Sequence, residues 1–291
     1  MLGRGWRRRT CRWPSPSNQA RGGSAGRAVA IRRALAIDPG NAEAQSARGQ
    51  VLWTPVKGFQ NRAALHALGA ALRLNPGCHQ ARIWQCLVFL HLGLLKEARE
   101  GLLEALATNP DDARTLVFIG QVALYAGNYK EADEYHERAL AIDPANIWAN
   151  LFFPIVGLSS NRLERAQEQL RAALQVLPSE PTLKSVEALI WAKRGEKRKA
   201  EQLIRRALTG GKPVLHTHQM IHNAAAVYGV LGKPAQAITL SRKAIATGLP
   251  NYPLFRDDPN LQPLHNQPTF ARMMGDLKKQ YDAYRKEFGR Y

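Results

Sequence analysis

The sequence contains no apolar run long enough to cross a membrane. A membrane-spanning helix needs about 18 or more consecutive apolar residues. The strongest apolar stretch, from Trp84 to Leu95, is interrupted by Gln85, His91 and Gly93. We therefore interpret this stretch as a buried helix and expect no membrane association.

Cysteine is scarce, with three residues at Cys11, Cys78 and Cys86. A disulfide framework needs an even set in a short secreted chain, and a zinc site needs C-x-x-C spacing or histidine partners. The sequence has neither pattern. We therefore predict reduced thiols in a cytoplasmic protein.

Acidic residues are absent from the first 33 positions, which hold nine arginines. This segment supplies half of the formal net charge of +18. No apolar stretch of the length that a secretory signal requires follows Arg12, so export is not indicated. We predict that residues 1–26 form a basic disordered tail. An organellar transit peptide and a nucleic-acid-binding arm, with Arg7–Arg9 between Trp6 and Trp13, remain open alternatives.

Motifs of phosphate chemistry are also missing. The sequence has no His-Arg-Asp, no Asp-Phe-Gly and no Gly-rich loop followed by Val-Ala-x-Lys, so it lacks a kinase domain. The segments at 229–233 and 210–212 place glycines before a lysine, but proline follows both lysines where a phosphate loop needs Ser or Thr. We interpret these glycines as turn residues and predict no enzyme activity.

Three histidines, His216, His218 and His222, are the nearest approach to a metal motif. His218 and His222 are four residues apart, a spacing that places two imidazoles on one helix face. The glutamate of the HExxH motif is missing, and the adjacent acids Asp111–Asp112 and Asp257–Asp258 are typical of helix caps. We expect no metal, no cofactor and no catalytic residue.

What the sequence does contain is an internal repeat. Five prolines recur at separations of 37, 34, 34 and 34 residues, and each follows a helix-like stretch such as RALAIDP or ALRLNP; they are Pro39, Pro76, Pro110, Pro144 and Pro178. A 34-residue period that ends in this way is the signature of the tetratricopeptide repeat.

Small residues recur in step with the prolines. A turn residue stands at Gly93, Gly127, Asn161, Gly195 and Gly232; alanines follow five residues later at Ala98, Ala132, Ala166, Ala200 and Ala237, and seven further on at Ala105, Ala139, Ala173, Ala207 and Ala244. The turn residue can adopt the left-handed conformation that ends a helix. Alanines seven residues apart lie on one face, where paired helices approach most closely.

These spacings predict an all-α, right-handed superhelical solenoid of antiparallel helix pairs over residues 27–250. Six units open near Ala42, His79, Ala113, Ile147, Pro181 and His218, after a lone helix at 27–37. A lone helix exposes an apolar face that a solenoid normally caps, so we expect the upstream end to be truncated or misassigned. Pro154 falls inside a predicted helix and is expected to kink or break it.

The sequence resembles the tetratricopeptide half of bacterial multidomain signalling proteins that carry an N-terminal serine/threonine kinase domain. The resemblance covers about residues 42–288 and depends on three segments, VLWTPVKGF, HTHQMIHNAAAVYGVLGKPAQA and YPLFRDDPNLQPLHNQPTF. It implies an interaction or regulatory module without catalytic residues. It also implies that residues 251–291 form a C-terminal capping segment and a helix.

The first helix of each unit is expected to line the concave surface, which we predict to be a protein-binding groove. Spacing assigns ten residues to it: Trp53, Trp84, Leu87, His91, Arg114, Phe118, Gln121, Tyr125, Trp148 and Phe152. This surface is aromatic and has few charges, so it suits an apolar or helical segment and lacks the basic residues that clamp a terminal carboxylate.

Two functions follow from the sequence. The first is a non-catalytic scaffold or regulatory module that binds a protein or peptide in this groove, as a fragment or partner of a signalling protein. The second is nucleic-acid association, through the Arg-rich N-terminal tail alone. Neither identifies the partner.

Overall fold

The computed structural model describes residues 23–210 and 216–289. These residues form fifteen α-helices, and none of them forms a β-strand. The helices are α1 Gly23–Ile37, α2 Ala42–Leu52, α3 Asn61–Leu74, α4 His79–Leu92, α5 Leu95–Thr108, α6 Ala113–Tyr125, α7 Tyr129–Ile142, α8 Ile147–Ser159, α9 Leu163–Val176, α10 Pro181–Lys193, α11 Lys197–Thr209, α12 Thr217–Val230, α13 Pro234–Ala246, α14 Tyr252–Asp257 and α15 Pro268–Phe288. The predicted all-α solenoid is confirmed.

The helices pair as the repeat predicts, with α2 and α3 as the first unit and α12 and α13 as the last. The recurring alanines lie at the contacts between helices; Ala98, Ala132, Ala166, Ala200 and Ala237 each have 0% exposed surface. No larger side chain fits at such a contact without moving a helix.

The turn residues adopt the left-handed conformation that the sequence predicts. Their φ angles are +80° at Gly93, +76° at Gly127, +84° at Gly195 and +71° at Gly232, and Asn161 has +57°. At the end of α4, the Leu94 amide donates to the Phe89 carbonyl over 2.9 Å, which completes the hydrogen bonding of the helix end.

Two local features differ from the regular unit. Helix α8 runs without a break from Ile147 to Ser159 with Pro154 inside it, so the expected break does not occur. In the first unit, the extra residues between α2 and α3 form a 3-10 helix, Pro55–Lys57, and bring the Phe59 ring towards the last unit.

The two ends of the chain lie outside the six regular units. Residues 1–22 of the predicted basic tail lie outside the described residues, and α1 begins at Gly23, inside the range predicted for that tail. After α13, the chain forms α14, a second 3-10 helix (Gln262–Leu264) and the long helix α15. Phe255 and Phe270 of this segment are fully buried.

The C-terminal segment packs back onto the early units. Asn251 donates from Nδ2 to the Leu90 carbonyl over 2.8 Å, across 161 residues of sequence. At the far end of α15, Glu287 accepts from Arg62 of the first unit over 2.7 Å. The solenoid is therefore closed between its first two units and its C-terminal segment. Among the described helices, none combines the length and apolarity that a membrane span requires.

Candidate functional site: the inner face of the solenoid

The inner face of the solenoid is filled by the chain itself. Every residue of α12 from His218 to Gly229 is buried. Residues of α12 contact three earlier units. His218 contacts His91 of unit two, and Gln219 contacts Tyr125 of unit three. Asn223 contacts α10 of unit five. Helix α12 therefore occupies the space that the earlier first helices surround.

This arrangement corrects the predicted geometry of the groove. Eight of the ten predicted groove residues are buried: Trp53, Trp84, Leu87, His91, Phe118, Gln121, Tyr125 and Phe152. Arg114 and Trp148 are half-buried. Among the described residues, α12 fills the inner face where the sequence predicts an open trough. Residue spacing assigns residues to a face but does not tell how tightly the superhelix winds. Partner binding by the ten residues stays a prediction.

Tyr125, Gln219 and Asn223 on the inner face form a hydrogen-bond network within the chain. The Tyr125 hydroxyl donates to Gln219 Oε1 over 2.8 Å and accepts from Gln121 Nε2 over 3.1 Å. Asn223 accepts from Gln219 over 2.9 Å and donates to Ser185 over 3.0 Å. Burial raises the pKa of Tyr125. This network fixes α12 in register against α6 and α10, and it uses the hydrogen-bonding capacity that a bound peptide would need.

Three histidines meet at the N-terminal end of α12. The Nε2 atoms of His91 and His218 lie 3.0 Å apart, and His216 lies beside them, with its ring centroid 4.1 Å from that of His218. One nitrogen from each ring falls within 4.8 Å of the other two. The sequence groups His216, His218 and His222 by their spacing. In the structure, His91 of α4 stands in the cluster in place of His222.

Aromatic rings surround the three imidazoles. Trp53 contacts His91 edge-to-face with centroids 4.9 Å apart, and Phe152 contacts His216 at 5.2 Å. Desolvation lowers the pKa of His91 to about 4 and lowers the pKa values of His216 and His218 well below their ordinary value. The three rings are therefore neutral near pH 7.

His222 belongs to a different contact. Its Nε2 lies 3.4 Å from Asp258 Oδ2, and both side chains are buried. Burial lowers the pKa of His222, although the Asp258 carboxylate acts in the opposite direction. This pair joins α12 to the C-terminal segment, whereas the hydrogen bond of Asn251 joins α4 to that segment.

The outer surface carries a basic helix face that the repeat pattern of the sequence did not indicate. Helix α11 carries five basic residues and one acidic residue, a net charge of +4, whereas the equivalent helix α7 has four acidic and two basic residues. Glu201 of α11 pairs with Arg205 and Lys233, each over 2.7 Å. Within the described part of the chain, no carboxylate forms an ion pair with Lys197, Arg198 or Arg206, and all three are exposed. A helix-by-helix charge count would have found this basic face.

Two stretches of the chain match family models described as tetratricopeptide repeat, residues 60–113 and 123–190. No curated protein matches the chain in sequence. The matched stretches run from α3 of unit one to α10 of unit five and leave α12 and the C-terminal segment outside.

Solved structures share the fold at low sequence identity. A tetratricopeptide repeat protein from Parabacteroides merdae is 15% identical with a TM-score of 0.59, over 87% of this chain and 90% of that one. Yeast Tom70 is 15% identical with a TM-score of 0.53, over 94% of this chain and 57% of that one. The APC/C hetero-tetramer Cut9–Hcn1 is 14% identical with a TM-score of 0.54, over 86% of this chain and 51% of that one. These likenesses concern the fold alone.

The two matched stretches contain tetratricopeptide repeats, and the described residues share the helical solenoid fold of tetratricopeptide repeat proteins. Proteins of this class generally act as interaction scaffolds without catalytic residues. The predicted link to kinase-containing signalling proteins stays a prediction.

Proposed function

We propose that this protein is a non-catalytic interaction module that holds an acidic segment of a partner protein on the outer face of α11. The single observation that supports the proposal is the basic face formed by Lys197, Arg198 and Arg206, which no carboxylate of the described chain neutralises. A regulatory role in a signalling protein, in the cytoplasm, is the finer form of this proposal and depends on the sequence resemblance alone.

The position of α12 supports an outer binding surface. A peptide entering the inner face would have to displace a helix whose residues from His218 to Gly229 are all buried. Burying one large apolar side chain contributes about 1.5–3 kcal/mol, so the displacement costs more than a typical peptide contact returns. The outer face of α11 is exposed without any rearrangement.

The chemistry of the basic face favours an acidic partner. Guanidinium groups bind carboxylates through paired hydrogen bonds, and clustered cations increase the rate of encounter with an acidic segment. Trp191 of α10 adds an apolar surface beside them, since its ring is half-buried and Lys199 Nζ lies 3.3 Å from its centroid. An acidic segment with an aromatic or aliphatic residue fits this combination.

A triple variant tests the proposal, with Lys197, Arg198 and Arg206 each replaced by Gln. The control replaces Arg73, Lys96 and Arg171 by Gln, because these cations are also exposed but lie on three different helices. Partners are captured from extracts of the source cells, and the acidic segment of each captured protein is then measured by calorimetry at two salt concentrations.

We expect the wild type and the control to bind the same segment with salt-dependent affinity, and the α11 variant to bind at least about tenfold more weakly. Equal binding by all three proteins would refute the proposal. Loss of binding in Trp148→Ala, with binding retained by the α11 variant, would instead place the site at the half-buried rim of the predicted groove.

The alternative function is nucleic-acid association through the N-terminal tail, favoured by the nine arginines and no acids in residues 1–33. Its test is fluorescence anisotropy with a labelled DNA or RNA oligonucleotide at low and moderate salt. Binding that falls steeply with salt and disappears when residues 1–22 are deleted would support the alternative. If the full chain does not bind, the alternative is excluded.

A further inference from the structure

The three histidines at the N-terminal end of α12 come from two distant parts of the sequence. His91 lies near the end of α4, and His216 and His218 lie at the start of α12, so 127 residues separate the two Nε2 atoms that are 3.0 Å apart. We propose that His91, His216 and His218 form a binding site for one divalent transition-metal ion, with zinc as the expected ion.

The hydrogen bonds of the rings determine which nitrogens face each other. His91 Nδ1 lies 2.8 Å from the Leu87 carbonyl, which can only accept, so Nδ1 carries the proton and Nε2 has the free lone pair. The His218 ring has the Thr247 backbone carbonyl as a further partner. Because Nε2 of His218 faces His91, Nδ1 is the nitrogen left to donate to Thr247.

This assignment places two lone pairs 3.0 Å apart in a buried position. Two neutral acceptors at this distance repel each other unless a proton or a cation lies between them. A proton can lie between only two nitrogens, whereas one nitrogen from each of three rings lies within 4.8 Å of the other two. A metal ion removes the repulsion and uses the neutral imidazoles as they are, since metal ligation requires the deprotonated nitrogen.

His216 provides an independent indication. Its Nδ1 atom is buried and makes no hydrogen bond within the described residues, and a buried nitrogen without a partner loses a solvation free energy of about 1–3 kcal/mol. Because this ring lies beside His218, its lone pair is available to the same ion. Metal ligation through Nδ1 would give this atom the partner that it lacks among the described residues.

The distances fit a metal ion after small side-chain movements. Zinc–nitrogen bonds of about 2.0 Å in a tetrahedron place ligand nitrogens about 3.3 Å apart. The His91–His218 distance is already 3.0 Å, and the third nitrogen lies within 4.8 Å of both. His216 precedes the first residue of α12 and is half-buried, so its side chain can approach without moving the helix.

The donor set selects the class of ion. Imidazole ligands suit zinc, copper, nickel and iron, whereas calcium and magnesium need oxygen ligands, and the cluster contains histidine alone. Three neutral imidazoles with a fourth ligand from solvent is an arrangement that zinc adopts. Backbone carbonyls at Leu87 and Thr247 hold two of the rings in orientation, as in many metal sites. The ion would join α4 to α12 and so stabilise the closed solenoid.

Zinc binding to the untagged full chain tests the proposal, with a reducing agent present to keep the cysteines as thiols. Calorimetry and elemental analysis after dialysis measure affinity and stoichiometry, and thermal unfolding measures the shift in Tm. We expect one zinc ion per chain and a higher Tm with zinc. We expect each of His91→Gln, His216→Gln and His218→Gln to lower the affinity at least about 100-fold.

Two control variants match the cluster variants. His136→Gln removes another buried imidazole whose Nδ1 bonds a backbone carbonyl, and His222→Gln removes a buried imidazole one turn further along α12; both should retain zinc binding. If His91→Gln or His218→Gln does not fold, His216→Gln decides, because its ring is half-buried. The proposal is overturned if the wild type does not bind zinc, or if all three cluster variants bind one ion as the wild type does.

Discussion

The ring of Phe59 lies directly against Gly248, although the two residues belong to the first and last units of the solenoid. A Cβ atom added at Gly248 would lie 2.8 Å from Cε2 and Cζ of Phe59. Gly248 also has a φ angle of +114°, which L side chains rarely adopt. The contact between the first and last units therefore depends on the absence of a side chain at this position.

We predict that Gly248→Ala destabilises the protein by about 2–4 kcal/mol, because it combines backbone strain with a clash against the Phe59 ring. The free energy of unfolding in urea, followed by circular dichroism, measures this change. Thermal unfolding should show a correspondingly lower Tm.

The matched control is Gly275→Ala on the exposed side of α15, where an added Cβ has no neighbouring atom within 4 Å. Alanine is a better helix former than glycine, so this variant should be more stable by about 0.5–1 kcal/mol. If Gly248→Ala were as stable as the wild type, the close contact between the first and last units would be wrong.

The sequence predicts the repeat well because each unit is a local structure. Proline, glycine and alanine mark the ends and contacts of a helix pair, and each acts within about 34 residues. The winding of the superhelix is different, since it accumulates from small rotations between successive units. The contacts of His91 with His218 and of Phe59 with Gly248 depend on the sum of these rotations. Residue spacing alone therefore could not predict that α12 lies inside the solenoid.

Pro154 is a position where a strong local preference does not determine the structure. Proline removes a helix hydrogen bond and is expected to break a helix, yet α8 is continuous. The helix is held by apolar contacts on nearly every side, since most of its residues are buried. Packing therefore compensates for a local cost.

We predict that Pro154→Ala stabilises the protein by about 1–2 kcal/mol. The change restores an amide donor to α8 and places alanine where the equivalent positions in later units hold Ala188 and Ala225. The gain is smaller than the full cost of about 3 kcal/mol for proline in a helix, because proline also restricts the unfolded chain. Urea unfolding measures it.

Pro234→Ala serves as the control for this prediction. Pro234 stands in the first turn of α13, where proline is tolerated because the amide there has no helix partner. This variant should gain no stability. A Pro154→Ala variant less stable than the wild type would mean that the proline ring fills space that alanine leaves empty.

The final prediction concerns pH and the buried histidine of α7. The His136 ring stacks on Phe153 with centroids 5.7 Å apart, and Gly120 makes room for it, since a Cβ there would lie 2.6 Å from Nδ1. Desolvation lowers the pKa of His136 to about 4, against smaller opposing effects of the Ala132 carbonyl and Asp133. Asp133 in turn pairs with Arg162 over 2.6 Å.

The direction of the pH effect follows from these pKa values. Well above pH 6.5, His136 is neutral in both the folded and the unfolded states and does not change stability with pH. As pH falls from about 6.5 towards 4, the unfolded state binds a proton that the folded state does not, so the folded state loses stability. Between pH 7.5 and pH 5 this loss is about 2 kcal/mol for His136 alone.

We therefore predict that His136→Gln reduces the loss of stability between pH 7.5 and pH 5 by about 2 kcal/mol relative to the wild type. Leu102→Ala is the control, because it destabilises the buried core without removing a titratable group. Its free energy of unfolding should fall by the same amount at both pH values. A His136→Gln variant with the pH dependence of the wild type would show that this imidazole is protonated equally in the folded and unfolded states, and that the stacked, buried position beside Phe153 does not exclude the charged form.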